Sequence, residues 1–141
     1  MKTPSVIMTL SAKLLCPVLI TMAFAFLYRG HNEPGGGFIG GLLFTAAMIL
    51  KLLAHGATYV EKHMWLKPHN FLLVGISSAF VAGIMPLFIG KAFLQSLWFP
   101  TFALPILGDV HIGTPLLFDI GVFMVVIGFV LTVLIDFEEA Q

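Results

Sequence analysis

Few side chains in this sequence are equipped for chemistry, and the two most unusual are Asp119 and Lys51, each an ionisable group inside a long apolar run. Such a group is a functional-site candidate, because leaving it unpaired in hydrocarbon costs on the order of 2.5–3.5 kcal/mol even on a lenient insertion scale. Ordinary structural roles compete with that reading. For Asp119 they are support of a helix N-terminus or a salt bridge to Arg29. For Lys51 and His55 the competing role is snorkelling, the polar head being carried outward on an apolar stem.

A third concentration of polar groups runs from Tyr28 to Gly41, YRGHNEPGGGFIGG. A glycine-rich turn ahead of a helix can cradle phosphate. Here no lysine-serine tail follows, no strand precedes, and Glu33 repels an anion. His31 and Glu33 are too few ligands for a metal site, so no metal or other cofactor is expected. No nucleophile–base pair occurs at useful spacing either, which makes a membrane enzyme the weakest functional class.

The elements that must position these groups follow from composition. The 141 residues are 59% hydrophobic and 10% charged, with seven Lys plus Arg against seven Asp plus Glu. Soluble domains are about 45–50% apolar and about 25% charged, so the chain reads as an integral membrane protein. A net charge of zero removes nucleic acid as a partner. The single Cys16 cannot form an internal disulfide and says nothing of redox compartment.

A spanning helix needs about 20 mostly apolar residues. Four stretches qualify, approximately 9–28, 34–55, 68–90 and 114–135, and with no repeat or linker they make one domain over 1–141. The expected fold is an all-α bundle of four transmembrane helices. Lys13 falls inside the first span, one turn from its end, and is read as a snorkelling lysine. Met1-Lys2, an apolar run and Ala23-Phe24-Ala25 imitate a signal peptide, but Lys13 interrupts the apolar core, so the segment is read as a retained span. Residues 92–108, AFLQSLWFPTFALPILG, carry Pro100 and Pro105, which argues for an interfacial or re-entrant loop with Trp98 at headgroup level. A fifth span there is the alternative. Lys2, Lys13, Lys51, Lys62 and Lys67 lie on one side, Arg29 and Lys91 on the other, so both termini are expected in the cytoplasm.

Helical periodicity sorts the faces. Gly37, Gly40, Gly41, Phe44, Met48, Lys51 and His55 share one side of the second span. The pairs Gly36–Gly40 and Gly37–Gly41 suit close packing, expected to be against other subunits. The third span has a small-residue stripe of Gly75, Ser78, Ala79, Ala82 and Pro86. Ser77 and Ser78 are expected to bond back one turn. Thr114-Pro115 reads as an N-cap and first turn, with Gly121 and Gly128 opposite Asp119. Lys51 lies about 25 Å below the start of its helix and Asp119 only about 6 Å below the start of its own. These two cannot be direct partners.

Two segments, GHNEPGGGFIGGLL at Gly30 to Leu43 and GTPLLFDIGVFMVVIG at Gly113 to Gly128, resemble the B subunit of the Mrp (Mnh) multisubunit sodium/proton antiporters. The resemblance covers most of the chain, the Trp98 loop being least characteristic. The motif is met at Gly30, His31, Asn32, Pro34, Gly35, Gly36, Gly37, Phe38, Gly41 and Asp119. It implies a four-helix subunit of a hetero-oligomeric cation/proton antiporter in a bacterial cytoplasmic membrane, related to the membrane arm of respiratory complex I. The implied partners are the large antiporter-like A and D subunits, which do the main proton-conducting work, and the small C, E, F and G subunits. The implied cargo is Na+ and H+. On this reading the chain serves assembly and lines part of the ion path, and moves no ions alone. The alternatives are a homologous subunit of a membrane-bound hydrogenase-type complex and a stand-alone carrier. The latter would need symmetric repeats or a broken-helix site at the midplane, and neither is present.

Overall fold

A chain this apolar must satisfy its backbone hydrogen bonds internally, and helices do so segment by segment. The computed structural model describes residues 5–30, 35–98, 102–104, 108–110 and 113–140. Its helices are α1 (Val6–Arg29), α2 (Gly36–His55), α3 (Ala57–His63), α4 (Pro68–Ile84), extended by a 3-10 turn over Met85–Ile89, and α5 (Thr114–Glu139). Four are long and apolar enough to cross a membrane: Val6–Arg29, Gly36–His55, Pro68–Ile89 and Thr114–Glu138. The 20 residues of α2 span about 30 Å, the thickness of a hydrocarbon core.

Two helix ends outrun the expected spans: α1 starts three apolar residues earlier, and α5 runs on because charged residues end an apolar count without ending a helix. α1 begins at Val6 and α5 continues through Asp136 and Glu138. Lys13 consequently lies about 10 Å inside α1, two turns from its start and not one. α3 was not expected. Gly56, at φ +86, lets the chain leave α2 in the left-handed region. The short helix then turns Ala57 and Val60 inward against Leu52 and Ile135, leaving Glu61 and Lys62 exposed. At seven residues it is too brief for periodicity to declare.

The long helices pack as a row: α1 on α2, α2 on α5, α5 on α4. Burial follows that order, at 44% and 39% of the spanning windows of α2 and α5 but only 17% and 22% in α1 and the α4 segment. The two middle helices hold the bundle together, and the two outer ones present large apolar faces. Phe24, Phe44 and Phe123 meet at centroid distances of 5.7–6.2 Å where α1, α2 and α5 converge, above the fully buried Ile127 and Leu131.

Small residues make the close contacts. In α2 the expected single glycine face is in fact two, because neighbours in sequence point 100° apart. Gly36 and Gly40 meet α1, and Gly37 and Gly41 meet α5. A Cβ at Gly40 would stand 2.7 Å from the Ala23 carbonyl oxygen, and one at Gly41 2.9 Å from the Val126 Cβ. On the far side of α5, Gly121 lies against Gly75 and Ala79 of α4, and Gly128 against Pro68 and Leu72. These glycines therefore seat helices of the same chain, not those of other subunits. Ser77 bonds back to the Leu73 carbonyl at 2.8 Å, as expected, but the Ser78 hydroxyl reaches across to the Leu117 carbonyl at 3.2 Å and ties α4 to α5.

Between α4 and α5 the described residues hold no fifth spanning helix. Strands β1 (Phe102–Leu104) and β2 (Gly108–Val110) form an antiparallel pair, with Phe102 opposite Val110. Proline excludes a helix interior but tolerates a short edge strand, so the sequence distinguished loop from span without revealing the hairpin. The loop is clamped at its base: Leu97 N–H donates to the Thr114 Oγ1 and Thr114 N–H to the Leu97 carbonyl, both at 3.0 Å. Gly113, not Thr114, holds the N-cap position, and the threonine hydroxyl serves the loop instead.

A bulky side chain at Gly121 would collide with backbone, which no rotamer change relieves: a Cβ there lies 2.7 Å from Ala79 N and 2.8 Å from the Gly75 carbonyl oxygen. Gly121→Leu is expected to cost more than the roughly 1–3 kcal/mol typical of overpacking. Thermal unfolding of the detergent-solubilised chain should show a drop of several degrees or loss of monodisperse protein. Ile76→Leu on the exposed face of α4 should leave both unchanged.

Candidate functional site

Asp119 sits in the second turn of α5, about 7 Å below its first residue, and is half-buried. Three segments converge on it. Gly37, in the first turn of α2, lies directly against the Asp119 backbone carbonyl. Gly30, closing α1, lies beside the carboxylate: a Cβ on Gly30 would stand 2.9 Å from Asp119 Oδ2 and 2.9 Å from Gly36 N. The carboxylate thus faces the junction between the end of α1 and the start of α2, where glycines leave it room. Gly35, at φ +94, sets the entry to α2 in the left-handed region. The positive end of the α2 macrodipole is directed at this corner, a favourable place for an anion.

Arg29 occupies the last turn of α1 beside Gly30 and is exposed. Phe38 points outward and is 52% exposed. His31, Asn32, Glu33 and Pro34 lie outside the described residues, so the roles considered for His31 and Glu33 stand only as sequence expectations. The described motif positions Gly30, Gly35, Gly36, Gly37 and Asp119 come together at one corner of the bundle, whereas Gly41 contributes one turn deeper, against Phe123 and Val126.

Lys51 is at the opposite end of α2. Fourteen residues separate it from Gly37, about 21 Å along the helix, in keeping with the depth arithmetic that denied it Asp119 as a partner. It is half-buried and shares an open groove of about 450 Å³ with Ala12, Lys13, Cys16, Pro17, Ile20 and Thr21 of α1. Cys16, buried beneath, donates its S–H to the Ala47 carbonyl at 3.1 Å and joins α1 to α2. His55 is exposed and begins a ladder of stacked rings, with centroids 4.5 Å from His55 to Tyr59 and 4.0 Å from Tyr59 to His63. The ladder and the pairing of Lys13 with Lys51 both escaped the sequence reading. The first was signalled by aromatic rings four apart; the second depends on how α1 lies across α2. Among the described residues no three of His, Cys, Asp and Glu gather as a metal site.

What the corner around Asp119 offers chemically is a carboxylate in a confined, glycine-walled position inside a span, able to exchange a proton or a cation. A family model described as a domain related to the MnhB subunit of Na+/H+ antiporter matches residues 7–132. Chains named as antiporter subunit mnhB2 in Staphylococcus aureus strains Newman and JH1 are 38% identical over 141 residues, covering 100% of this chain and 99% of theirs. Among solved structures, the Mrp complex from Dietzia sp. DQ12-45-1b matches with a TM-score of 0.76 and 28% identity over 94% of this chain. The match takes in 14% of that solved chain, so the fold recurs there as a segment of a much longer polypeptide. The two motifs, the four-helix row and the relatives aligned from end to end agree: this is a multi-pass membrane protein belonging to the MnhB-related family of Na+/H+ antiporter subunits.

Proposed function

We propose that the chain is a non-enzymatic subunit of a hetero-oligomeric cation/proton antiporter, required for its assembly, with Asp119 lining part of the ion path. The observation that carries this reading is the half-buried carboxylate at the junction of α1, α2 and α5, with Gly30 and Gly37 against it. A carboxylate in a span is costly unless it is paired or faces water or an ion. Glycines around it let the backbones of three segments touch beside the carboxylate. A cation or proton arriving there meets an acceptor and the positive end of α2, which tempers how tightly a cation is held. The partners are the large A and D and the small C, E, F and G subunits. The oily outer faces of α1 and the α4 segment, mostly unburied in the chain by itself, supply the contact area for them.

The bundle end that carries α3 also carries Lys51, Lys62 and Lys67, and Lys13 lies toward it, whereas Arg29 and Lys91 belong to the other end. By the positive-inside rule this supports cytoplasmic termini in the cell membrane. No resident cofactor is needed for such a role; Na+ and H+ are cargo.

Three experiments test this. Asp119→Asn should lower Na+/H+ exchange by the assembled complex at least tenfold in inverted vesicles while the subunits still co-purify; wild-type exchange would overturn the assignment. Vesicles holding this chain alone should show no Na+-driven proton movement, and exchange by the lone chain would refute a purely subunit role. A phosphatase or fluorescent reporter fused after Gln141 should report a cytoplasmic C-terminus, with phosphatase inactive and fluorescence retained.

A further inference from the structure

The groove around Lys51 combines two features that point to one class of ligand. Its outer part carries two ammonium groups, Lys13 from α1 and Lys51 from α2. Among the described residues neither has an ion-pair partner, and the acids at that end, Glu61, Asp136 and Glu138, are exposed and do not line the groove. Farther along α1 the lining becomes Pro17, Ile20 and Thr21. The Thr21 hydroxyl is turned back onto the Pro17 carbonyl at 2.8 Å, so the inner part presents an apolar wall. From Ala12 to Thr21 the groove follows α1 for about 14 Å, charged toward one end and oily toward the other.

We infer that this groove is a binding site for an anionic phospholipid, its phosphate between Lys13 and Lys51 and one acyl chain lying along Pro17 and Ile20. Depth favours lipid over an acidic side chain of another protein. Lys51 is about 6 Å inside the end of α2 and Lys13 about 10 Å inside the end of α1. From such depths a lysine stem carries its ammonium toward the phosphate layer. Basic pockets between transmembrane helices recognise anionic headgroups in this way. The lateral opening of the groove lets the lipid remain continuous with the bilayer. Cys16, buried under the lysines and bonded to Ala47, forms the floor and fixes the spacing of α1 and α2.

The test uses the full chain co-expressed with its partner subunits, reconstituted into vesicles of equal phosphatidylglycerol and phosphatidylethanolamine, then extracted and read by native mass spectrometry. Wild type should retain phosphatidylglycerol in preference to phosphatidylethanolamine. The double variant Lys13→Gln, Lys51→Gln should lose phosphatidylglycerol retention by about twenty-five-fold, from roughly a fivefold effect of each lysine near an anionic surface. Lys13→Arg combined with Lys51→Arg should keep it. Ile20→Trp, which fills the inner groove and leaves the charges in place, should also lose it, and this variant decides the matter if the double Gln variant does not fold. Equal retention of the two lipids by wild type, or unchanged phosphatidylglycerol in the double Gln variant or in Ile20→Trp, would overturn the site. Loss of a partner subunit in the Gln variant with lipid retention intact in Ile20→Trp would also overturn it, and would assign the lysines to a protein carboxylate.

Discussion

Helices surrounded by lipid gain little from hiding apolar surface against one another, since acyl chains are as oily as leucine; association rests on how closely backbones can approach. That constraint shapes this protein. α2 carries glycine on two sides, toward α1 and toward α5, and α5 carries it on the side toward α4, so each middle helix touches two neighbours at backbone distance. Where α2 meets α5, Gly37 against the Asp119 carbonyl, the contact also determines where the acid in the second turn of α5 is displayed. Packing and candidate chemistry are therefore one arrangement at that corner. A side chain at Gly30 or Gly37 would move the helices apart and crowd the carboxylate together.

Much of this was legible in the sequence, for reasons that can be stated. Four spans are readable because hydrocarbon thickness converts directly into a residue count. The separation of Asp119 from Lys51 is readable because helical rise is constant, and the opposite placement of Gly121 and Asp119 because helical twist is. What was not legible depended on neighbours. Periodicity shows that Gly36, Gly37, Gly40 and Gly41 are small, but not that they divide between α1 and α5. Nor does it show that Ser78 looks across to Leu117 while Ser77, one residue earlier, looks back to Leu73. Lys13 and Lys51 are thirty-eight positions apart in the chain, and only the antiparallel packing of α1 on α2 brings them to one groove. The hairpin after α4 was hidden for a different reason: prolines report what a segment is not.

The two ends of the bundle are finished differently. At one, α3 folds Val60 beneath the ends of α2 and α5 and leaves Trp65 fully exposed after it. At the other, Thr114 and Leu97 clasp the loop that carries Trp98, itself 52% exposed. Indole rings favour the headgroup region, where an apolar body and an N–H donor are both accommodated. One exposed tryptophan thus lies at each end of the bundle.

The row order α1, α2, α5, α4 has a consequence of its own. A closed four-helix bundle offers one continuous outer wall, and neighbours compete for it. A row has two broad flanks turned away from each other, here those of α1 and α4, and each is mostly uncovered. A molecule built like a plank can stand between two larger bodies and touch both, keeping them a fixed four-helix thickness apart. Its middle pair, stiffened by backbone contact, sets that thickness, and the acid at its corner lies between the flanks, not on either of them.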